Sequence, residues 1–242
     1  LGIIFLQSSR ALASLNRTSE ILDTIPDIDD LPDANPDRKV QSGSIEFKNV
    51  SFAYPRKSVR DEQTGIAKGE NNNVRVLEDI SFTVKSGETL GVLGSTGCGK
   101  TTLVQLIPRL YDATSGEVLV DGENVKKYTL KNLRDGVSMV LQNNTLFCGT
   151  VAENLLWGNE NASEEEMKEA AASAQADRFV ESFQGGYDYM IEQGGTNVSG
   201  GQKQRLCIAR ALLSQPKILI LDDSTSAVDT ATEARIREAF AT

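Results

Sequence analysis

The chain has 242 residues, 39% hydrophobic and 24% charged, with a formal net charge of −9. That length supports a full hydrophobic core and one or two domains, and the acidic balance does not point to nucleic acid as a partner. There is no histidine, and the three cysteines, Cys98, Cys148 and Cys207, are widely spaced. Within this chain that excludes histidine bases, histidine metal ligands and a cysteine metal signature, and it leaves a reducing compartment as the default.

The elements follow in chain order. Residues 1 to about 25 have helical periodicity, with Ile4, Ala11, Leu15, Thr18 and Leu22 near one face. Pro26 ends that helix, and the Asp- and Pro-rich run from Asp27 to Arg38 reads as a linker before a globular domain that begins near Ser44. No stretch is long enough to span a bilayer; Leu1-Gly-Ile-Ile-Phe-Leu6 is apolar but short. The chain starts without Met and stops after Ala239-Phe-Ala-Thr242, so it is expected to be a piece of a longer protein.

Ile45–Phe52 alternates as a strand, and Val76–Val84 reads as its antiparallel neighbour. The polar run from Arg56 to Arg75 between them reads as a surface loop. Thr89-Leu-Gly-Val-Leu93 is expected to be a short buried strand, and Thr102–Ile107 a helix. Gly116–Gly122 and Val137–Leu141 read as further strands. Val151–Leu156 reads as a helix, and so does Ser163–Ser182, opened by Ser163 with Glu166 three residues on. Ile218–Leu221 is a short apolar run typical of a central parallel strand. Strands alternating with helices predict an α/β domain.

Between the first apolar run and its helix stands Gly94-Ser95-Thr96-Gly97-Cys98-Gly99-Lys100-Thr101, followed by Thr102. This fits the phosphate-binding P-loop, in which glycines let backbone N–H groups turn toward phosphate oxygens. Lys100 is placed to reach the β- and γ-phosphates, and the Thr101 hydroxyl to ligate Mg²⁺. A second anchor is Leu219-Ile-Leu-Asp222-Asp223, an apolar strand that ends in acids (the Walker B pattern). Asp222 at the carboxyl end of that strand can orient Mg²⁺ through water. A third is Val198-Ser199-Gly200-Gly201-Gln202, a Gly-rich turn opening a helix and a generic anion site. A second such site in one domain calls for a second phosphate, or for the phosphate of another subunit.

Ser199-Gly-Gly-Gln202 between a P-loop and a Walker B strand resembles the signature motif of the ATP-binding cassette (ABC) family, and the resemblance covers residues 44–242. It implies a P-loop NTPase (RecA-like) core, an antiparallel β-subdomain, and an inserted α-helical subdomain at about 143–200. By the same resemblance Tyr54 stacks on adenine, Gln142 senses Mg²⁺ and the attacking water, and Ser226-Ala-Val-Asp229 crosses to a partner domain. The resemblance thus assigns catalytic roles to Asp223, Gln142 and Lys100, and Mg²⁺ contacts to Thr101, Gln142 and Asp222, with ATP and Mg²⁺ as the cofactors. Phe147-Cys-Gly-Thr-Val-Ala-Glu-Asn154 and the helix at 10–25 are similar to parts of exporters of the multidrug or lipid type. The implied location is the cytoplasmic face of the cell membrane, attached to a membrane-spanning domain of the same polypeptide.

Three departures qualify the resemblance. Active cassettes usually carry Glu after the Walker B Asp; here it is Asp223. One methylene fewer sets the carboxylate back by about 1.5 Å, and a misplacement of about 1 Å can cost on the order of 10²-fold in rate. Gln193 stands where many homodimeric exporters carry an acid, and Val198 replaces the usual Leu. The chain ends before the expected histidine of the H-loop. These features resemble the degenerate-site half of a heterodimeric exporter: ATP held firmly, cleaved slowly, with a signature offered to a non-identical partner that carries the Glu. Two alternatives are a regulatory ATP-binding module with negligible turnover and a soluble, non-transport ABC ATPase.

Overall fold

In the computed structural model the described residues are 2–23, 26–54, 59–60, 67–68, 75–222, 232 and 236. Helix α1 spans Gly2–Leu22, and its Leu12, Leu15, Ile21 and Leu22 are exposed. Among the described residues no helix is long and apolar enough to cross a membrane.

The run from Asp27 to Arg38 is fastened along its length. The Leu130 N–H donates to the Asp30 carboxylate at 2.6 Å, Lys127 pairs with Asp33, and Asn132 Nδ2 donates to the Pro36 and Arg38 carbonyls. Farther on, Asp121 accepts the Gln41, Ser42 and Ser44 N–H groups and the Ser42 hydroxyl. Burial pushes the Asp121 carboxyl up, but the Ser42 hydroxyl and those three N–H groups together outweigh it and hold the group at about 2.

Strand β1 (Ile45–Ala53) is the centre of an antiparallel sheet. Its other members are β4 (Arg75–Val84), β5 (Ser115–Val120) and β6 (Glu123–Asn124), in the order β4-β1-β5-β6, while β2 (Val59–Arg60) and β3 (Ala67–Lys68) pair in a separate two-stranded ladder. Alternation puts Ile45, Phe47, Val50 and Phe52 inside, with the phase reset by an irregularity after Lys48. Gly116 passes this point at φ +78°, where a Cβ would lie 2.3 Å from the Asn49 carbonyl oxygen, so glycine alone fits. The remainder of the 56–75 loop lies outside the described residues.

A parallel pair is formed by β7 (Val137–Val140) and β10 (Ile218–Leu221), in register from Ile218 opposite Val137 to Leu221 opposite Val140. Strands β8 (Gly149–Thr150) and β9 (Met190–Ile191) form a short antiparallel ladder. The later helices are α2 (Lys100–Gln105), α3 (Leu130–Asp135), α4 (Val151–Leu156), α5 (Glu164–Ser173), α6 (Asp177–Ser182) and α7 (Gly200–Leu213). Thr150 with Glu153, Ser163 with Glu166, and Ser199 with Gln202 each form a reciprocal capping box, opening α4, α5 and α7.

Two hydrophobic cores result. One joins the antiparallel sheet to Leu106, Tyr128, Leu133, Val137, Ile218 and Ile220. The other joins Leu146, Val151, Leu155, Ala171, Ile191, Leu206 and Ile208, with Leu219 and Leu221 packed against it. The period of two thus turns alternate residues of β10 to different cores, which is why its sequence is apolar at every position.

Two expectations need correction. Thr89–Leu93 is not a strand; it runs over the surface with Leu90, Val92 and Leu93 51%, 39% and 95% exposed. An apolar run becomes a buried strand only beside a strand that offers a ladder, and among the described residues the parallel sheet pairs β7 and β10 alone. The expected single helix at Ser163–Ser182 is broken between α5 and α6 by Gln175, at φ 55°, where the chain turns so that Ala174 and Ala176 are both fully buried.

Candidate nucleotide site

The P-loop residues Gly94, Ser95, Thr96, Gly97 and Cys98 are exposed, and Gly99 and Lys100 are half-buried. Gly97 and Gly99 have φ of 83° and 95°, values open to glycine and unfavourable for residues with a Cβ. Gly99 also lies against β4, where a Cβ would stand 3.0 Å from Leu77. The loop therefore reaches α2 without a side-chain cap on the first turn of the helix. Lys100 folds back over it and donates from Nζ to the Gly94 carbonyl at 2.8 Å and the Ser95 carbonyl at 3.1 Å. An ammonium held by two neutral carbonyls is free to exchange them for charged oxygens, which make the stronger hydrogen bonds.

The Thr101 hydroxyl donates to Asp222 Oδ2 at 2.8 Å, across 121 positions of sequence. Asp222 is only 7% exposed. It is held at the carboxyl end of β10, and its own N–H continues the ladder to the Val140 carbonyl at 2.9 Å. By that register Leu141 lies opposite Asp222 and Gln142 follows at the end of the neighbouring strand, with its side chain exposed. A hydroxyl and a carboxylate at hydrogen-bond distance are hard oxygen donors that suit Mg²⁺, which binds through one or two protein oxygens together with substrate phosphates. Among the described residues no group of three or more acids and cysteines forms a closed metal cage.

Thr102, buried beside this pair, is hydrogen-bonded through Oγ1 to the Tyr54 hydroxyl at 2.9 Å. Tyr54 is 36% exposed and meets Phe52 and Tyr111 edge to face, at centroid distances of 4.8 and 5.2 Å. Sequence reasoning placed Tyr54 and Thr102 at the site separately; their contact required the fold. It missed Thr114, whose Oγ1 accepts the Ala53 N–H at 3.1 Å and so fixes the backbone just before Tyr54. A threonine in a turn gives no sequence signal for that.

The signature residues open α7. Ser199 caps α7: Gln202 N–H donates to Ser199 Oγ at 3.3 Å and Ser199 N–H donates to Gln202 Oε1 at 2.9 Å. Ser199 and Gly200 are exposed, Gly201 and Gln202 half-buried, and Val198 packs against the second core. The structure does not bring Ser199 to this chain's own P-loop by any of the contacts described. Asp223, Ser226 and Asp229 lie outside the described residues.

Beyond the parallel pair is a cavity of about 640 Å³, lined by Ser138, Asn143, Thr145, Trp157, Cys207 and Arg210 among others. At its edge the exposed rings of Phe147 and Trp157 stack at 4.7 Å. Burial pushes the Cys207 thiol up, so it is the unreactive member of the three cysteines, while Cys98 and Cys148 are exposed.

A P-loop, a buried acid at the end of the adjoining parallel strand and a flanking antiparallel sheet define a P-loop ATPase domain of mixed α/β type. The ABC transporter family model matches residues 77–226. The chain belongs to the ABC transporter family, as an ATP-binding domain. It is 39% identical over 99% of its length to ABC transporter B family member 6 of Dictyostelium discoideum. It is 41% identical over 96% to a putative multidrug export ATP-binding/permease protein of Bacillus subtilis (strain 168), and 40% identical over 96% to an ATP-dependent lipid A-core flippase of Syntrophus aciditrophicus (strain SB). It covers 35%, 37% and 35% of those proteins. A bacterial Atm1-family ABC exporter with ATP bound superposes with a TM-score of 0.84 at 32% identity, over all of this chain and 40% of that one.

Proposed function

We propose that this chain is the motor of one half of a heterodimeric exporter, binding Mg²⁺-ATP at 94–102 and presenting 198–202 to the ATP of a second, non-identical domain. The observation that supports the nucleotide site is the Thr101–Asp222 hydrogen bond, which joins two distant motifs into one oxygen site next to Lys100. Tyr54 would stack on the base, the P-loop N–H groups and Lys100 would hold the phosphates, and Thr101 and Gln142, with Asp222 through water, would hold Mg²⁺. When bound, Mg²⁺ neutralises charge on the β- and γ-phosphates. Because Asp223 is one methylene shorter than the usual Glu, this site binds ATP firmly and turns it over slowly.

The exposed Phe147–Trp157 pair beside the 640 Å³ cavity is the apolar surface on which we seat the membrane-spanning partner. The relatives described as a putative multidrug export protein and a lipid A-core flippase support cargo of that class and a site at the cytoplasmic face of the membrane. The decisive experiment is Asp223→Glu in the assembled transporter. Turnover is expected to rise on the order of 10²-fold at this site. Unchanged turnover together with tight ATP binding favours the regulatory reading, in which bound ATP acts as the adhesive of a dimer.

A further inference from the structure

Two side chains close the loop that leads into α7: Thr196, whose hydroxyl donates to Glu192 Oε2 at 2.8 Å, and Asn197, which alone ties the loop to the strand before it. Between Ile191 and Ser199 the chain passes through Gly194 and Gly195, both at positive φ (74° and 70°). Paired glycines leave a segment many alternative shapes, so this one depends on tertiary bonds. Asn197 supplies three. Its Oδ1 accepts the Glu192 N–H at 3.0 Å, and its Nδ2 donates to the Met190 carbonyl at 2.8 Å and the Tyr189 hydroxyl at 3.3 Å. The strand it grips is itself anchored to the segment after Gln142. Val151 N–H donates to the Tyr189 carbonyl at 3.0 Å, Gly194 N–H to the Leu146 carbonyl at 3.2 Å, and Ile191 pairs with Gly149.

Two residues after Asn197 the exposed tip begins. The body of α7 is fixed independently by Leu206, Cys207 and Ile208, all buried in the second core. Loss of the Asn197 bonds therefore leaves the helix in place and frees the loop and its first turn. We infer that Asn197 is the positioning residue of the 199–202 tip: its carboxamide sets where Ser199, Gly200 and Gly201 stand toward a phosphate held by another chain, without touching nucleotide itself. This rests on the reading that 199–202 completes the site of a second domain.

The test uses the complete transporter in lipid vesicles and reads kcat, the affinity of this chain's P-loop for a fluorescent ATP analogue, and the melting temperature. Asn197→Ala is expected to lower kcat at least about 10-fold, because a displacement of about 1 Å at a phosphate contact costs up to 10²-fold, while P-loop affinity stays within about 2-fold. An unchanged kcat, or an equal fall in kcat, P-loop affinity and melting temperature, overturns the assignment. Asn197→Asp is isosteric, keeps the acceptor for the Glu192 N–H and loses both donor contacts. It gives the same split in milder form and serves if the alanine variant does not fold. Ser199→Ala is the companion measurement. If its kcat is unchanged, the two-domain reading itself fails; if it loses kcat and the Asn197 variants do not, only the positioning role fails.

Discussion

Two glycine-rich turns in this chain each open a helix, and they are built in opposite ways. The turn before α2 has no side-chain cap, uses left-handed Gly99 as its last residue, and keeps Lys100 on two of its own carbonyls. The turn before α7 is capped reciprocally by Ser199 and Gln202 and backed by a helix whose buried face includes Leu206, Cys207 and Ile208. The first has no side-chain cap, and of its N–H groups Cys98 meets the Ser95 carbonyl at 3.3 Å. The second satisfies the Ser199 and Gln202 N–H groups with its own side chains. An open loop suits the chain that holds the nucleotide; a self-capped tip suits one that must meet a nucleotide already held elsewhere.

The comparison can be broken most strongly at Lys100. Lys100→Ala removes the only cation of the open turn and is expected to cost about 10²–10³-fold in turnover, with a parallel loss of ATP binding by calorimetry. Persisting tight binding would show that the backbone alone holds the phosphates. The aromatic wall is next. Tyr54→Ala should weaken ATP binding by about 1–3 kcal/mol, whereas Tyr54→Phe loses only the hydroxyl contact to Thr102, about 0.5–1.5 kcal/mol. Equal effects of the two would assign Tyr54 to holding α2 rather than to stacking.

Asp121 tests stability remote from both turns. Asp121→Asn keeps the shape and removes the charge that accepts the N–H groups of 41, 42 and 44, at a cost of about 1–3 kcal/mol. The folded carboxyl sits at about 2, below its ordinary 3.8. The stability gap between the native chain and the variant is therefore full above about pH 4 and closes as pH falls through about 2, read from denaturant unfolding at each pH. Nucleotide affinity of the refolded variant at neutral pH should not change. The smallest effect on stability belongs to the self-capped turn: Ser199→Ala loses one cap, about 1 kcal/mol in unfolding free energy, and leaves ATP affinity at the P-loop intact while lowering kcat of the assembled transporter.

How far the sequence alone reached depends on the range of the interactions involved. The three motifs, the capping box at Ser163, and the pairing of β1 with its neighbour are written in local pattern, because caps, glycine turns and period-two alternation act within a few residues. The Thr101–Asp222 contact was foreshadowed by motif, yet only the parallel register of β7 and β10 delivers it. Asn197, Thr114 and Asp121 carried no signal, since each acts by hydrogen-bonding backbone groups that a short polar residue could equally leave to water. Thr89–Leu93 marks the opposite case. Its composition is that of a buried strand, but composition supplies only the apolar face, and a strand also needs a neighbour's ladder, which is a property of the tertiary structure.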